Sequence, residues 1–258
     1  MPVSLLALPL TALPVTGWAL VVLALAAVVV GIGKTSFGGL GVVAVAVFAL
    51  FLPTKESTAT LLLLLIVGDL VAIVRYRAHV DRPMLRDLLP AVVPGIALGA
   101  LFVWLVDDLV LKRTIGVLLI LSVCLQLVLS RRRAPIDPGP LPRAAAWGTG
   151  AAAGFTTMTA NAGGPPMALY LLAARVDKHR FVGTNAWFFF LVNVTKVPFS
   201  AALGLFNASN LLLVACLAPV VLVGTWIGSG VHSRVSQQVF NRVTLALSAV
   251  AALALIVH

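Results

Sequence analysis

The chain has 258 residues, of which 61% are hydrophobic and only 10% charged, and its mean hydropathy is +1.10. That excludes a soluble domain of this size, whose charged share would be about 25%, and places nearly all of the chain in a bilayer. The formal net charge of +10 does not mark a nucleic-acid partner, because the basic residues lie in short loops with neither aromatic interleaving nor a long basic face.

Taken in order, the first 16 residues are apolar but carry no Lys or Arg, which argues against a signal peptide. Apolar runs then fall at 17–31, 36–52, 57–75, 88–106 and 110–130. The stretch Gly31-Ile-Gly-Lys-Thr-Ser-Phe-Gly-Gly-Leu-Gly41 interrupts the first two, and Ser36 is placed to cap a second half-helix reaching about Leu52. A linker rich in Pro and Arg, Ser130 to Arg143, separates five further runs at 144–160, 163–175, 182–203, 209–229 and 236–257.

The second half holds the sharper interruption, Gly154-Phe-Thr-Thr-Met-Thr-Ala-Asn-Ala-Gly-Gly-Pro-Pro-Met167. Glycines, prolines and small polar residues make a poor continuous helix, although about 20 apolar residues in a row are needed to span a bilayer as one. The spacing predicts one half-helix ending near Gly154–Thr159 and another starting at Pro165 or Pro166, with Asn161 as its cap. Broken backbone at membrane depth is tolerated only where protein buries it or a cavity borders it. One break in each half is the sequence pointer to a carrier's binding site.

The halves match at an offset near 125. Gly38-Gly39 falls on Gly163-Gly164, Pro94 on Pro219, Gly99 on Gly224, and Asp69 one place from the offset position of Asn193. The expected architecture is an all-α polytopic membrane protein of two inverted repeats. Each repeat is a broken-helix hairpin plus three transmembrane helices, giving 8–10 membrane segments. Residues 1–130 form the first repeat, 131–143 a cytoplasmic linker and 144–258 the second repeat. Whether the hairpins span or re-enter does not change the parity, and the two breaks are expected to meet head-on at mid-bilayer.

Loop charge tests that threading. It gathers Arg75, Arg77, Arg82, Arg86, Arg131, Arg132, Arg133, Arg143, Arg175, Lys178, Arg180, Arg234 and Arg242 on one side. The other side receives Lys55, Lys112 and Arg113, while Lys34 and Lys196 stay within the membrane, which accounts for all 18 basic residues. So lopsided a split orients the basic side to the cytoplasm and both termini to the periplasm.

Ionisable groups inside a bilayer are costly and usually functional. Asp69 and Lys196 are read as proton-coupling or gating groups, against the plainer readings of a structural partner for Lys34 and of a lysine snorkelling to the surface. Half-helix N-termini present free N–H groups and a partial positive charge, and glycine lets a ligand approach the backbone closely. The expected anion site therefore comprises Lys34, Ser36, Gly38, Gly39, Thr157, Thr159, Asn161, Gly163, Gly164 and Asn193. Trp187 and Trp226 are read as packing or interface aromatics.

Three signals are set aside. Gly33-Lys34-Thr35-Ser36 resembles the end of a phosphate-binding loop, but the glycine required five places earlier is Val28. Cys124 and Cys216 lie in apolar runs and are read as packing residues, with no metal or disulfide role. His79, His179, His232 and His258 are read as solvated, so no cofactor, no metal and no intramembrane enzyme is expected.

The Thr-Ala-Asn-Ala-Gly-Gly-Pro-Pro break, followed by Met167 and Tyr170, the glycine-rich first break and the two similar halves resemble the sulfite exporter TauE/SafE family, also called the toluene sulfonate uptake permease family. The resemblance runs from about Gly17 to Ile256. It implies a bacterial inner-membrane secondary carrier for sulfite, sulfoacetate or other sulfur-containing or organic anions, driven without ATP and coupled to protons. The different-class reading is a passive anion channel of the same fold. Expected partners are a small anion, the lipid bilayer and a second copy of the chain in a homodimer, with no nucleic acid.

Overall fold

The computed structural model describes residues 15–35, 41–131, 141–231, 246, 248–250 and 252–256, and every regular element among them is helical. In order the α-helices are α1 Gly17–Thr35, α2 Gly41–Phe51, α3 Thr54–Tyr76, α4 Arg82–Leu105, α5 Asp108–Arg131, α6 Arg143–Ala160, α7 Gly164–Ala173, α8 Lys178–Ala202 and α9 Ala208–Val231, with a 3-10 turn Arg77–His79 after α3. Near the C-terminus, helical residues 252–256 lie against α5, where Ile256 leaves no room for a side chain on Gly116. α1, α3, α4 and α9 are long and apolar enough to cross a membrane, so the chain is an all-α polytopic membrane protein. With 11 and 10 residues, α2 and α7 reach only about 16 and 15 Å, half of a hydrocarbon core of about 30 Å.

Helix ends are fixed by carboxylates and amides at sequence-visible positions. Asp81 caps α4 through the Met84 N–H, and Pro83 follows in its first turn. Asp177 caps α8 by accepting from the N–H groups of His179 and Arg180, which, with Arg180 first, hold its carboxyl below the ordinary carboxylate range. Asn207 and Asn210 cap α9 reciprocally. α3 begins after Pro53 with no side-chain cap of its own. Its first amide, Thr54 N–H, instead donates to Asp108 at the head of α5, 2.7 Å away.

Those ties sort the helix ends into two faces. Arg180 pairs with Asp81 at 2.6 Å, and Thr184 accepts from the Asp81 N–H, so α4 and α8 start at one end, beside the close of α3. α4 and α6 run parallel from that same end: Leu88 meets Gly150, Val92 meets Gly154 and Met158 meets Gly99. At Gly154 the carbonyl of Val92 occupies the place of a Cβ, so only glycine lets the two backbones come so close. Gly31 of α1 meets Val221 of α9 in the same way. The closest helix pairs thus join the first half of the chain to the second.

Cys124 and Cys216 are exposed on the outside of the bundle and are not packed within it. An apolar surrounding in the sequence does not place a residue inside, because a membrane helix is apolar all round. Trp226 is also exposed, as an interface aromatic would be.

Candidate functional site

α1 stops at Thr35 and α2 starts at Gly41; α6 stops at Ala160 and α7 starts at Gly164. Ser36, Gly38 and Gly39 lie outside the described residues. The second break is fully described. Asn161 has a left-handed backbone, φ 49°, which asparagine tolerates better than most side chains. Its N–H bonds to the Thr157 carbonyl, and the Ala162 N–H bonds to the Thr156 carbonyl. Asn161 therefore closes the end of α6, whereas the sequence reading made it the cap of α7. Gly163 occupies that cap position, without a side-chain bond.

The opening turn of α7 also differs from the expected row of free amides. Pro165 and Pro166 have no N–H, and the Met167 N–H already bonds to the Gly163 carbonyl. Only Gly163 and Gly164 can offer backbone donors there. Open space faces Gly164, while Gly163 backs onto Ala153 and Thr157 of α6 and the ring of Phe189. Any anion site at this break must draw most of its donors from side chains.

Those side chains are supplied by α8. Asn193 and Lys196, three residues apart, share one helix face and are both buried. The Lys196 ammonium donates to the side-chain oxygen of Asn161 and to the Thr157 hydroxyl, the latter at 3.3 Å. The Asn161 amide in turn donates to the Thr58 carbonyl of α3 at 3.1 Å. An ammonium only donates, which fixes the orientation of the carboxamide. Lys196 is 2% exposed, so it does not snorkel. The Thr159 hydroxyl turns back to the Phe155 carbonyl of its own helix at 2.9 Å.

A second cluster lies one turn along α8. Asp69 of α3 is fully buried; one carboxylate oxygen accepts from Lys34 at 2.6 Å and the other from Asn193 at 2.7 Å. The Lys34 ammonium lies 5.4 Å from the centre of the Phe189 ring, within cation–π range. Gly68 makes room for the stem of Lys34, because a Cβ there would lie 2.8 Å from its Cγ. The Asn193 side-chain oxygen is buried with no hydrogen-bond partner among the described residues, and so is the Trp187 indole N–H.

The two clusters contain two lysines and one carboxylate. Lys34 is neutralised by Asp69; Lys196 is held by neutral oxygens. Both clusters touch α3, one through the Thr58 carbonyl and one through Asp69. The first break itself, residues 36–40, lies outside the described residues, and with it the expected head-on meeting of the two breaks. Sequence reasoning missed Thr58, Gly68 and Phe189. Gly68 alone left a trace, as a glycine beside the single acid of a leucine-rich span; Thr58 acts through its backbone, and Phe189 is one of three consecutive phenylalanines.

Residues 23–255 match the family model described as sulfite exporter TauE/SafE. No curated protein and no solved structure matches the chain.

Proposed function

From a chain that belongs to the sulfite exporter TauE/SafE family, we propose a proton-coupled secondary carrier of sulfite or a short organosulfonate, working across the bacterial inner membrane with both termini periplasmic. The family makes it a membrane transporter of sulfur anions; the finer reading rests on one observation. Lys196 is a buried ammonium whose protein partners, Asn161 and Thr157, are neutral. A buried cation with no ion pair among the described residues is costly, and a small anion supplies a direct counter-charge. An oxyanion offers several acceptors at once, which suits the Lys196 ammonium, the Gly164 N–H and the Thr157 hydroxyl.

In this reading Asp69 is the proton-coupling group. Withdrawal of Lys34 would leave a bare carboxylate, which a proton neutralises. Two inverted repeats exchange partners through the α4–α6 and α1–α9 contacts, so one bundle rocks against the other around a fixed site. The test is counterflow of labelled sulfite and sulfoacetate in proteoliposomes, with and without a pH gradient. Saturable exchange that accelerates with the gradient is expected. Linear uptake with single-channel currents would make the protein a channel, and no response to any sulfur anion would remove the substrate reading.

A further inference from the structure

At the basic end of the molecule, α4 and α6 open a groove lined by Arg86, Asp87 and Pro90 of α4 and by Arg143, Ala146 and Trp147 of α6. It lies at the mouth of the seam where the two backbones come closest. Among the described residues neither arginine has an ion-pair or hydrogen-bond partner, and Asp87 forms no bridge to either. Two guanidiniums against one carboxylate leave the groove positive.

The surroundings say what kind of anion fits. On α4 the exposed positions continue from Arg86 and Pro90 through Val93 and Ala97 to Leu101, a stripe with helical period. α6 shows the same order, Arg143 then Trp147, with Trp147 54% exposed. Charge at the helix start, an aromatic ring one turn in and an apolar stripe beyond reproduce the profile of a leaflet: headgroup, interface, acyl chain. A soluble anion would use the arginines and have no use for the stripe.

We infer that this groove binds the phosphodiester headgroup of an anionic phospholipid, with the acyl chains lying along the exposed stripe of α4. Arg86 and Arg143 contact the phosphate, and Trp147 packs over the glycerol region. The lipid then spans α4 and α6, and with them the two halves of the chain, at the end of their glycine-lined seam.

The experiment measures lipid adducts by native mass spectrometry and melting temperature in detergent, for the full chain titrated with phosphatidylglycerol or with phosphatidylcholine of the same chains. Phosphatidylglycerol is expected to be retained and to raise the melting temperature, and phosphatidylcholine is not. Arg86→Gln and Arg143→Gln should each weaken retention about fivefold, the effect of one surface arginine on an anionic headgroup. Arg113→Gln, an equal loss of charge at the opposite end, should leave retention unchanged. Both groove arginines are exposed and unbonded, so the single variants fold, and adduct counting needs no melting transition. Equal retention of the two lipids, or undiminished retention in both single variants, overturns the inference. So does equal stabilisation by free phosphate or sulfate, which would make the groove a site for soluble anions.

Discussion

Lys34 and Lys196 both lie beside buried polar groups, Lys34 partly buried and Lys196 fully so, and their partners differ. Lys34 faces the Asp69 carboxylate and the Phe189 ring. Lys196 faces a carboxamide oxygen and a hydroxyl. The first is an ion pair; in the proposed mechanism the second takes up the negative charge of the substrate. In that mechanism the two lysines have different parts: Lys34 holds the Asp69 carboxylate until the proton-coupling step, and Lys196 meets the substrate.

The sharpest way to break this contrast is to remove Lys34. Lys34→Ala strands a buried carboxylate with only the Asn193 amide and should cost about 3–5 kcal/mol, the range for breaking a buried pair. Lys34→Met with Asp69→Leu removes both charges and should recover most of it. Chemical denaturation in detergent, or thermal melts of the single and double variants, reads the difference. If the double variant is no more stable than the single, the ion pair is not what holds α1 to α3.

Lys196→Met should do the reverse. Nothing charged is left behind, so the unliganded protein should melt no lower than wild type. The anion-dependent rise in melting temperature should shrink, because a hydrogen bond to a charged group is worth roughly 1.5–3 kcal/mol, or about 10–100-fold in affinity. Sulfite titrations followed by melting temperature check both halves of this statement. A variant that binds as wild type does would move the anion away from Lys196; one that simply unfolds would give Lys196 a structural part.

The contrast was only half legible in the sequence. Both breaks announce themselves in glycine and proline, and the offset between the halves pairs Asp69 with Asn193, which the structure joins by a hydrogen bond. Asp69 as the partner of Lys34 was among the readings, and the structure shows that pair; the partner of Lys196 was not legible. A sequence gives height along a helix, but rotation about its axis is read from the contrast between apolar and polar faces, and α8 is apolar on nearly every side. So snorkelling stayed open as the plainer reading of Lys196, although it turns inward to Asn161. The same limit hid Asn161. Its capping residue type was recognised, but whether an asparagine closes the helix before it or opens the one after depends on a single φ value. The cysteines were misplaced for the same reason.

Asn161 sharpens the contrast at a smaller scale. Asn161→Gly keeps the left-handed turn, which glycine adopts freely, and removes only the bridge from Lys196 to Thr58. Anion affinity should fall about tenfold, in keeping with one lost hydrogen bond to a charged group. Asn161→Ala loses the same bridge and adds the cost of a left-handed alanine, about 1–2 kcal/mol, so it should bind as weakly as the glycine variant and melt lower. Should the two variants melt together, the turn is not under the strain its φ implies.

The smallest effect belongs to a charge that water already satisfies. Asp177 caps α8 at the exposed end, and the Arg180 N–H, followed by that of His179, holds its carboxyl below the ordinary range. A carboxyl lowered on folding stabilises the protein above its unfolded value, near 3.9, and the gain disappears as pH falls through the folded value. Asp177→Asn should therefore melt slightly below wild type at pH 7, and the two curves should converge at acidic pH. A gap that persists unchanged below pH 3 would mean that cap geometry, not charge, sets the difference. Set beside the loss expected on stranding Asp69, so small a gap would measure what burial adds to a carboxylate that has lost its partner.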